Sequence, residues 1–193
     1  MGKWRHLGHR LGECWNDPDK SITFIHIPKN ASSFIKGCLL STLAFTHSDT
    51  SVKATRYLVV LRDPIERWVS GMAEYEYRSK HLNIDYQQIT FDDHTETQDY
   101  FIQDIEIDKT DFFMINDLLR LNLNHWFAEF GYRVGVDVDN MKQWNDSDLN
   151  IEKQQLKIKY QLIIDNDPVF VLKLKKHYAN DYALINRVKF YGN

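Results

Sequence analysis

The run Tyr57–Leu61 reads YLVVL and passes directly into RDPIERWVSG. Five apolar residues in a row, with no polar alternation, describe a strand covered on both faces. Such strands belong to sheets with helices on either side, which places the chain among the α/β proteins. The residues that follow agree. Asp63 can cap a helix, Pro64 suits its first position, and Glu66 completes a capping-box pattern. Ile65, Trp68, Val69, Met72 and Ala73 then share one helical stripe.

A second strand–helix unit comes earlier. In ITFIHIPKNASS, Ile22–Ser33, the β-rich run Ile22–Ile27 is ended by Pro28. Phe34, Ile35, Cys38 and Leu39 then keep nearly helical spacing, which predicts a helix over Ser32–Leu43. Asp111–Ile115 reads as a third strand and Leu118–Phe130 as a helix stopped by Gly131. Asp167 and Pro168 repeat the cap-plus-proline start, and Val169–Val188 predicts one long helix or two. His81–Ile107 is polar and irregular, and Tyr132–Asn150 is loop-like. Residues 1–20 read as an arm or a short helix leading into the domain. At 193 residues the expectation is one domain, residues 1–193, with a central, mainly parallel β-sheet flanked by helices.

Composition removes several classes. With 24 basic against 27 acidic residues, the net charge of −3 argues against a nonspecific nucleic-acid binder. Cys14 and Cys38 make neither a disulfide framework nor a CxxC zinc pair. The start has no apolar secretory core, and His6 stands where a myristoylation signal would carry Ser or Thr. No segment approaches the roughly 20 apolar residues of a membrane span. The expectation is a cytoplasmic protein with neither membrane nor nucleic acid as partner; the oligomeric state stays open.

Two loops carry the chemistry. A helix start after a strand exposes free N–H groups and the positive end of the helix dipole. In HIPKNASS, small Ala31, Ser32 and Ser33 let an anion approach the backbone, and Lys29 adds a full charge. An ordinary cap with a solvated lysine would read the same way. In the second loop Arg62 ends the buried strand, and Ser70 lies seven residues after the Asp63 cap, about two helical turns on. Arg62 and Ser70 can grip one anionic group, or Arg62 pairs with Asp63 or Glu66 as a structural salt bridge; Arg67 is a third candidate, better explained by such structural pairing. Neither the Walker pattern nor the Rossmann glycine pattern is present.

Together, HIPKNASS and RDPIERWVSG resemble the sulfotransferases that use 3′-phosphoadenosine 5′-phosphosulfate (PAPS), in particular the branch with many carbohydrate sulfotransferases. FFMINDLLRLNLNHWFAEFG is similar to that family's later strand and helix, and HYANDYALI to its C-terminal tyrosine–aspartate pattern. The likeness runs from about Ile22 to Val188. A glycine is common in the family where Ser32 stands, and a side chain is tolerable there if φ stays negative.

The resemblance implies a P-loop-like sulfotransferase fold. It also implies transfer of a sulfuryl group from PAPS to a hydroxyl or amine of a small-molecule or glycan acceptor, leaving 3′,5′-ADP. Lys29 would stabilise the leaving-group charge. The N–H groups of Asn30, Ala31, Ser32 and Ser33 would hold the 5′-phosphate, and Arg62 and Ser70 the 3′-phosphate. The scheme requires no metal, and DVD at 137–139 reads as acidic turn residues. The general base is His47 or His94, with Glu74 and Asp49 as carboxylate alternatives. His26 reads as a core residue. Tyr75, Tyr77, Tyr86, Tyr100 and Trp144 either stack on an acceptor or fill the core. The rival readings are a catalytically silent nucleotide-binding or interaction protein of the same fold, and another nucleotide-dependent transferase.

Overall fold

The computed structural model describes residues 14–19, 21–40, 43–48, 54–80, 83–132 and 150–192. Its sheet has five strands: β1 (Cys14–Asn16), β2 (Ile22–Ile25), β3 (Thr46–Ser48), β4 (Arg56–Leu61) and β5 (Thr110–Met114), in the order β3-β1-β2-β4-β5. The three strands legible in the sequence, β2, β4 and β5, pair in parallel. β1 runs antiparallel to both β2 and β3, so two of the four pairings are parallel and two antiparallel, and the sheet is mixed rather than mainly parallel. β1 lies inside the segment expected to be an arm, and β3 between the expected helix and the strand at Tyr57, where the sequence shows no element. Each is three residues long, too short to show a period.

Seven helices flank this sheet among the described residues. α1 (Ser32–Phe34) opens into a π-helical turn over Ile35–Leu40, in place of the regular helix expected over Ser32–Leu43. Gly37 stands inside that turn, where it lowers the preference for a regular helix by about 1 kcal/mol relative to Ala. α2 (Pro64–Ser79) follows β4, α3 (Gln98–Ile102) lies in the irregular middle, and α4 (Leu119–Glu129) closes against Gly131 at φ 79°. α5 (Ile151–Asn166) has no clear sequence signature, because its apolar residues fall on more than one face: Tyr160 is buried, but Ile151, Ile158 and Leu162 are exposed. The predicted C-terminal helix is two, α6 (Pro168–His177) and α7 (Ala179–Arg187), with Asp167 capping α6 through the Phe170 N–H at 2.9 Å.

Alternate residues of β4 serve opposite faces. Leu58 and Val60 join Phe24, Phe113 and α4's Leu123, Trp126 and Phe127 on one side. Tyr57, Val59 and Leu61 join Ile25, Phe112 and α3's Phe101 and Ile102 on the other, with Leu184 of α7. A third cluster sits off the sheet: Trp68, Val69 and Met72 of α2 against Tyr160 of α5 and Phe170 and Leu174 of α6. The stripe read on α2 therefore packs on helices, and this turns α2's other face toward the loops at the ends of β2 and β4. Among the described residues no helix is long and apolar enough to cross a membrane.

Candidate functional site

The β4–α2 junction is built from its own neighbours in sequence. Asp63 is the cap: its carboxylate accepts from the N–H groups of Ile65 and Glu66 at 2.9 and 3.0 Å, and Pro64 occupies the first turn. Arg62 leaves the strand end with its side chain a quarter exposed. Its Nη1 donates to the Ser70 hydroxyl at 2.9 Å, and its Nε lies 3.4 Å from the exposed carboxylate of Glu66. The guanidinium and hydroxyl proposed from spacing are thus side by side.

The β2–α1 junction is built differently. Lys29 and Ala31 sit at φ 68° and 56°, in the left-handed region that costs an L-residue roughly 1–2 kcal/mol. Ser32 is not among the positive-φ residues and begins the helix, so its side chain is accommodated where the resembling family often has glycine. Ala31 at the cap position supplies no side-chain bond. The N–H groups of the first turn have no acceptor within the helix. Asn30 is placed as a support rather than a ligand-facing group. Its N–H is donated to Ile27 O at 3.2 Å, and its buried Nδ2 donates to Val60 O at 2.8 Å and to Gln98 Oε1 at 2.6 Å.

Arg67 is fully buried and pairs with neither Asp63 nor Glu66 in a salt bridge. Its Nε donates to Pro28 O at 2.9 Å, its Nη2 to Asp93 O at 3.1 Å, and its Nη1 to Glu96 O. One guanidinium therefore stitches the Lys29 loop to the loop over residues 92–96. Gly71, one turn on, lets that loop lie against α2, since a Cβ there would collide with the His94 carbonyl.

Lys29 meets α2 through charge. Its Nζ is 3.1 Å from Oε2 of buried Glu74, the same oxygen that Lys153 of α5 approaches at 3.1 Å, while Arg78 Nε lies 2.5 Å from Oε1. Burial pushes the Glu74 carboxyl up, but the Lys29 charge and the bonds from Arg78, Lys153 and Lys29 outweigh it and hold Glu74 at about 2. Burial also pulls the Lys29 ammonium below the ordinary lysine range, opposed by Glu74 and assisted by the charges of Lys153 and Lys157. Three cations around one carboxylate leave a local positive excess in a chain that is acidic overall. Lys153 and Lys157 carry little signal in the sequence beyond an i, i+4 spacing, because α5 has no single apolar face.

His94 is bracketed by carboxylates, with Nδ1 2.8 Å from Asp92 and 3.0 Å from Asp93. Burial alone would push the imidazole down, but those two partners push it up to about 9, so it is charged at neutral pH. Asp92, Asp93 and His94 are also the one group among the described residues with three metal-ligating atoms together, within 4.8 Å of one another. A protonated imidazole donating to both carboxylates accounts for that closeness through ion pairing. His47 lies on β3, facing Trp15 of β1 across the ladder with ring centroids 5.5 Å apart. Two strand spacings, roughly 10 Å, separate it from β2. Asp49, Trp144 and residues 137–139 lie outside the described residues.

The aromatic residues divide. Tyr86 packs on Phe170, Tyr100 on Phe101 and Tyr75 on Phe91, while Tyr77 stands beside the charged cluster with Lys153 Nζ 4.7 Å from its ring centre. In HYANDYALI, Tyr178 donates to Thr95 O at 2.6 Å, and Asp181 accepts from the Gln98 and Asp99 N–H groups at 2.9 Å each. That motif clamps the start of α3. No family model matches the chain, and no curated protein or solved structure matches it either.

Proposed function

We propose that the chain is a PAPS-dependent sulfotransferase of P-loop-like fold, a cytoplasmic enzyme acting on a small-molecule or glycan acceptor. The observation that carries the reading is two cationic grips at the ends of adjacent parallel strands, close enough that Arg62 Nη1 reaches Lys29 O at 3.4 Å. A ligand with phosphate groups at both ends of a nucleoside suits such a pair. The first-turn N–H groups of Ala31, Ser32 and Ser33 hold the 5′-phosphate, and Arg62 with Ser70 holds the 3′-phosphate. Sulfuryl transfer resembles phosphoryl transfer, with in-line displacement and little covalent work for the protein. The acceptor oxygen or nitrogen forms the new bond to sulfur as the bond from sulfur to the phosphate oxygen breaks. The electron pair leaves with 3′,5′-ADP, and the acceptor's proton passes to a base.

Lys29 stabilises the charge on the leaving oxygen. Glu74 is its counter-ion in the absence of the donor and, held near 2, is a poor proton acceptor at neutral pH. The base role goes to His94 in preference to His47, because Arg67 and Gly71 fasten the His94 loop beside the Lys29 loop. His94 must first lose its own proton, which ties activity to alkaline pH. Titration calorimetry with 3′,5′-ADP, ATP and 5′-AMP tests the reading. Preferential binding of 3′,5′-ADP is expected, and indifference to the 3′-phosphate would sink it. Labelled PAPS offered to sugars, phenols, lipids and proteins then identifies the acceptor.

A further inference from the structure

We infer that Gln98 is a positioning residue that sets the distance between the two anion grips; this rests on the sulfotransferase reading above. Gln98 opens α3 and is completely buried. Its carboxamide makes three hydrogen bonds, all to the two grip loops. Oε1 accepts from Asn30 Nδ2 at 2.6 Å and from the Arg62 N–H at 3.0 Å, and Nε2 donates to Arg62 O at 2.8 Å. Arg62 lies just past the last residue of β4 and so needs a partner for both its peptide groups. The Gln98 amide supplies both, as a neighbouring strand would. The same oxygen holds Asn30, which stands between Lys29 and Ala31.

No other side chain can do this unaltered. Glu lacks the donor for Arg62 O, Met lacks both polar groups, and Asn is one methylene too short to span the gap. Gln98 is itself fixed from behind, since its N–H goes to Asp181 of α7 and the neighbouring Thr95 carbonyl is held by Tyr178. The line of support thus runs from α7 through Gln98 to both loops. The direct link from Arg62 Nη1 to Lys29 O is longer, at 3.4 Å, and the spacing falls mainly to the amide.

A ligand that uses one grip is indifferent to the spacing. A ligand that uses both gains from it, because its second end binds at high effective concentration. The experiment compares 3′,5′-ADP, 5′-AMP and 3′-AMP by calorimetry in wild type and Gln98→Met, with a thermal melt of each. In the variant, affinity for 3′,5′-ADP should fall at least about tenfold while each monophosphate changes by less than about twofold.

An undiminished advantage of 3′,5′-ADP over the monophosphates overturns the role of Gln98 and leaves the sulfotransferase reading standing. Equal losses for all three ligands reduce Gln98 to general support and overturn it too. Wild type showing no advantage for 3′,5′-ADP overturns both. Where Gln98→Met gives no folding transition, Gln98→Asn carries the same comparison, and failure of both to fold assigns Gln98 to the core and ends the proposal.

Discussion

The two strand–helix junctions stand side by side in the sheet and are built on opposite plans. The β4–α2 junction is capped locally: strand, Arg62, an Asp63 cap, Pro64 and a 16-residue helix, with the cap and the Arg62–Ser70 bond made within eight residues and Gln98 reaching only the Arg62 peptide groups from outside. The β2–α1 junction is held from outside. Its helix has three regular residues and no side-chain cap, two of its loop residues are left-handed, and its fastenings come from Glu74, Arg67, Val60 and Gln98. A junction that carries its own cap fixes its helix start from neighbours in the chain. One whose cap position holds an alanine has no such device, and the rest of the fold supplies the support.

The largest expected contrast is functional. Lys29→Ala should lower turnover by about 10²–10³-fold with little change in affinity for PAPS, since the charge it meets develops in transfer. Arg62→Ala should do the reverse, weakening 3′,5′-ADP by about tenfold or more and sparing turnover at saturating donor. Single-turnover rates and calorimetry separate the two, and identical profiles would erase the distinction between the grips.

Arg67→Ala removes the stitch between the Lys29 loop and the 92–96 loop and takes the guanidinium donor from two buried carbonyls, Pro28 and Glu96, and from the part-buried Asp93 carbonyl. Denaturant unfolding should show a loss of about 3–5 kcal/mol. A loss below about 1 kcal/mol would mean that the first junction stands without outside help.

The pH dependence isolates the 92–96 loop. His94 is raised from its ordinary 6.5 to about 9, so the stability it adds is complete below 6.5 and is lost as pH rises through 9. The span is worth about 3 kcal/mol. Thermal melts from pH 6 to 10 should fall across that window in wild type and flatten in His94→Gln. Over the same window kcat should climb with pH if His94 is the base, because its unprotonated form grows.

The smallest pair tests the caps themselves. Asp63→Ala should cost about 1 kcal/mol, the usual value of a lost N-cap. Ala31→Gly should raise stability by up to about 1 kcal/mol, because glycine adopts the left-handed region without a Cβ clash. Opposite signs at two adjacent helix starts would be direct evidence for the two building plans.

Much of the local-plan junction was legible. The Asp63 cap, the Pro64 start and the meeting of Arg62 with Ser70 follow from spacing along one helix, where 3.6 residues per turn fixes neighbours. So did the parallel core strands, which need apolar runs long enough to be covered on both faces. β1 and β3 were not legible, because three-residue edge strands acquire their pairing from the sheet. α5 was not, because its apolar residues do not share one face.

The sequence by itself determined that two strand–helix units would each end in a cation and small or hydroxyl side chains, since those elements are set by neighbours in the chain. Only the tertiary structure decided what joins them. Glu74 with Lys29 and Lys153, Arg67 across three carbonyls, and Gln98 between Asn30 and Arg62 are contacts between residues far apart in sequence. Buried polar groups must find partners wherever packing brings them, and no periodicity along the chain records that obligation.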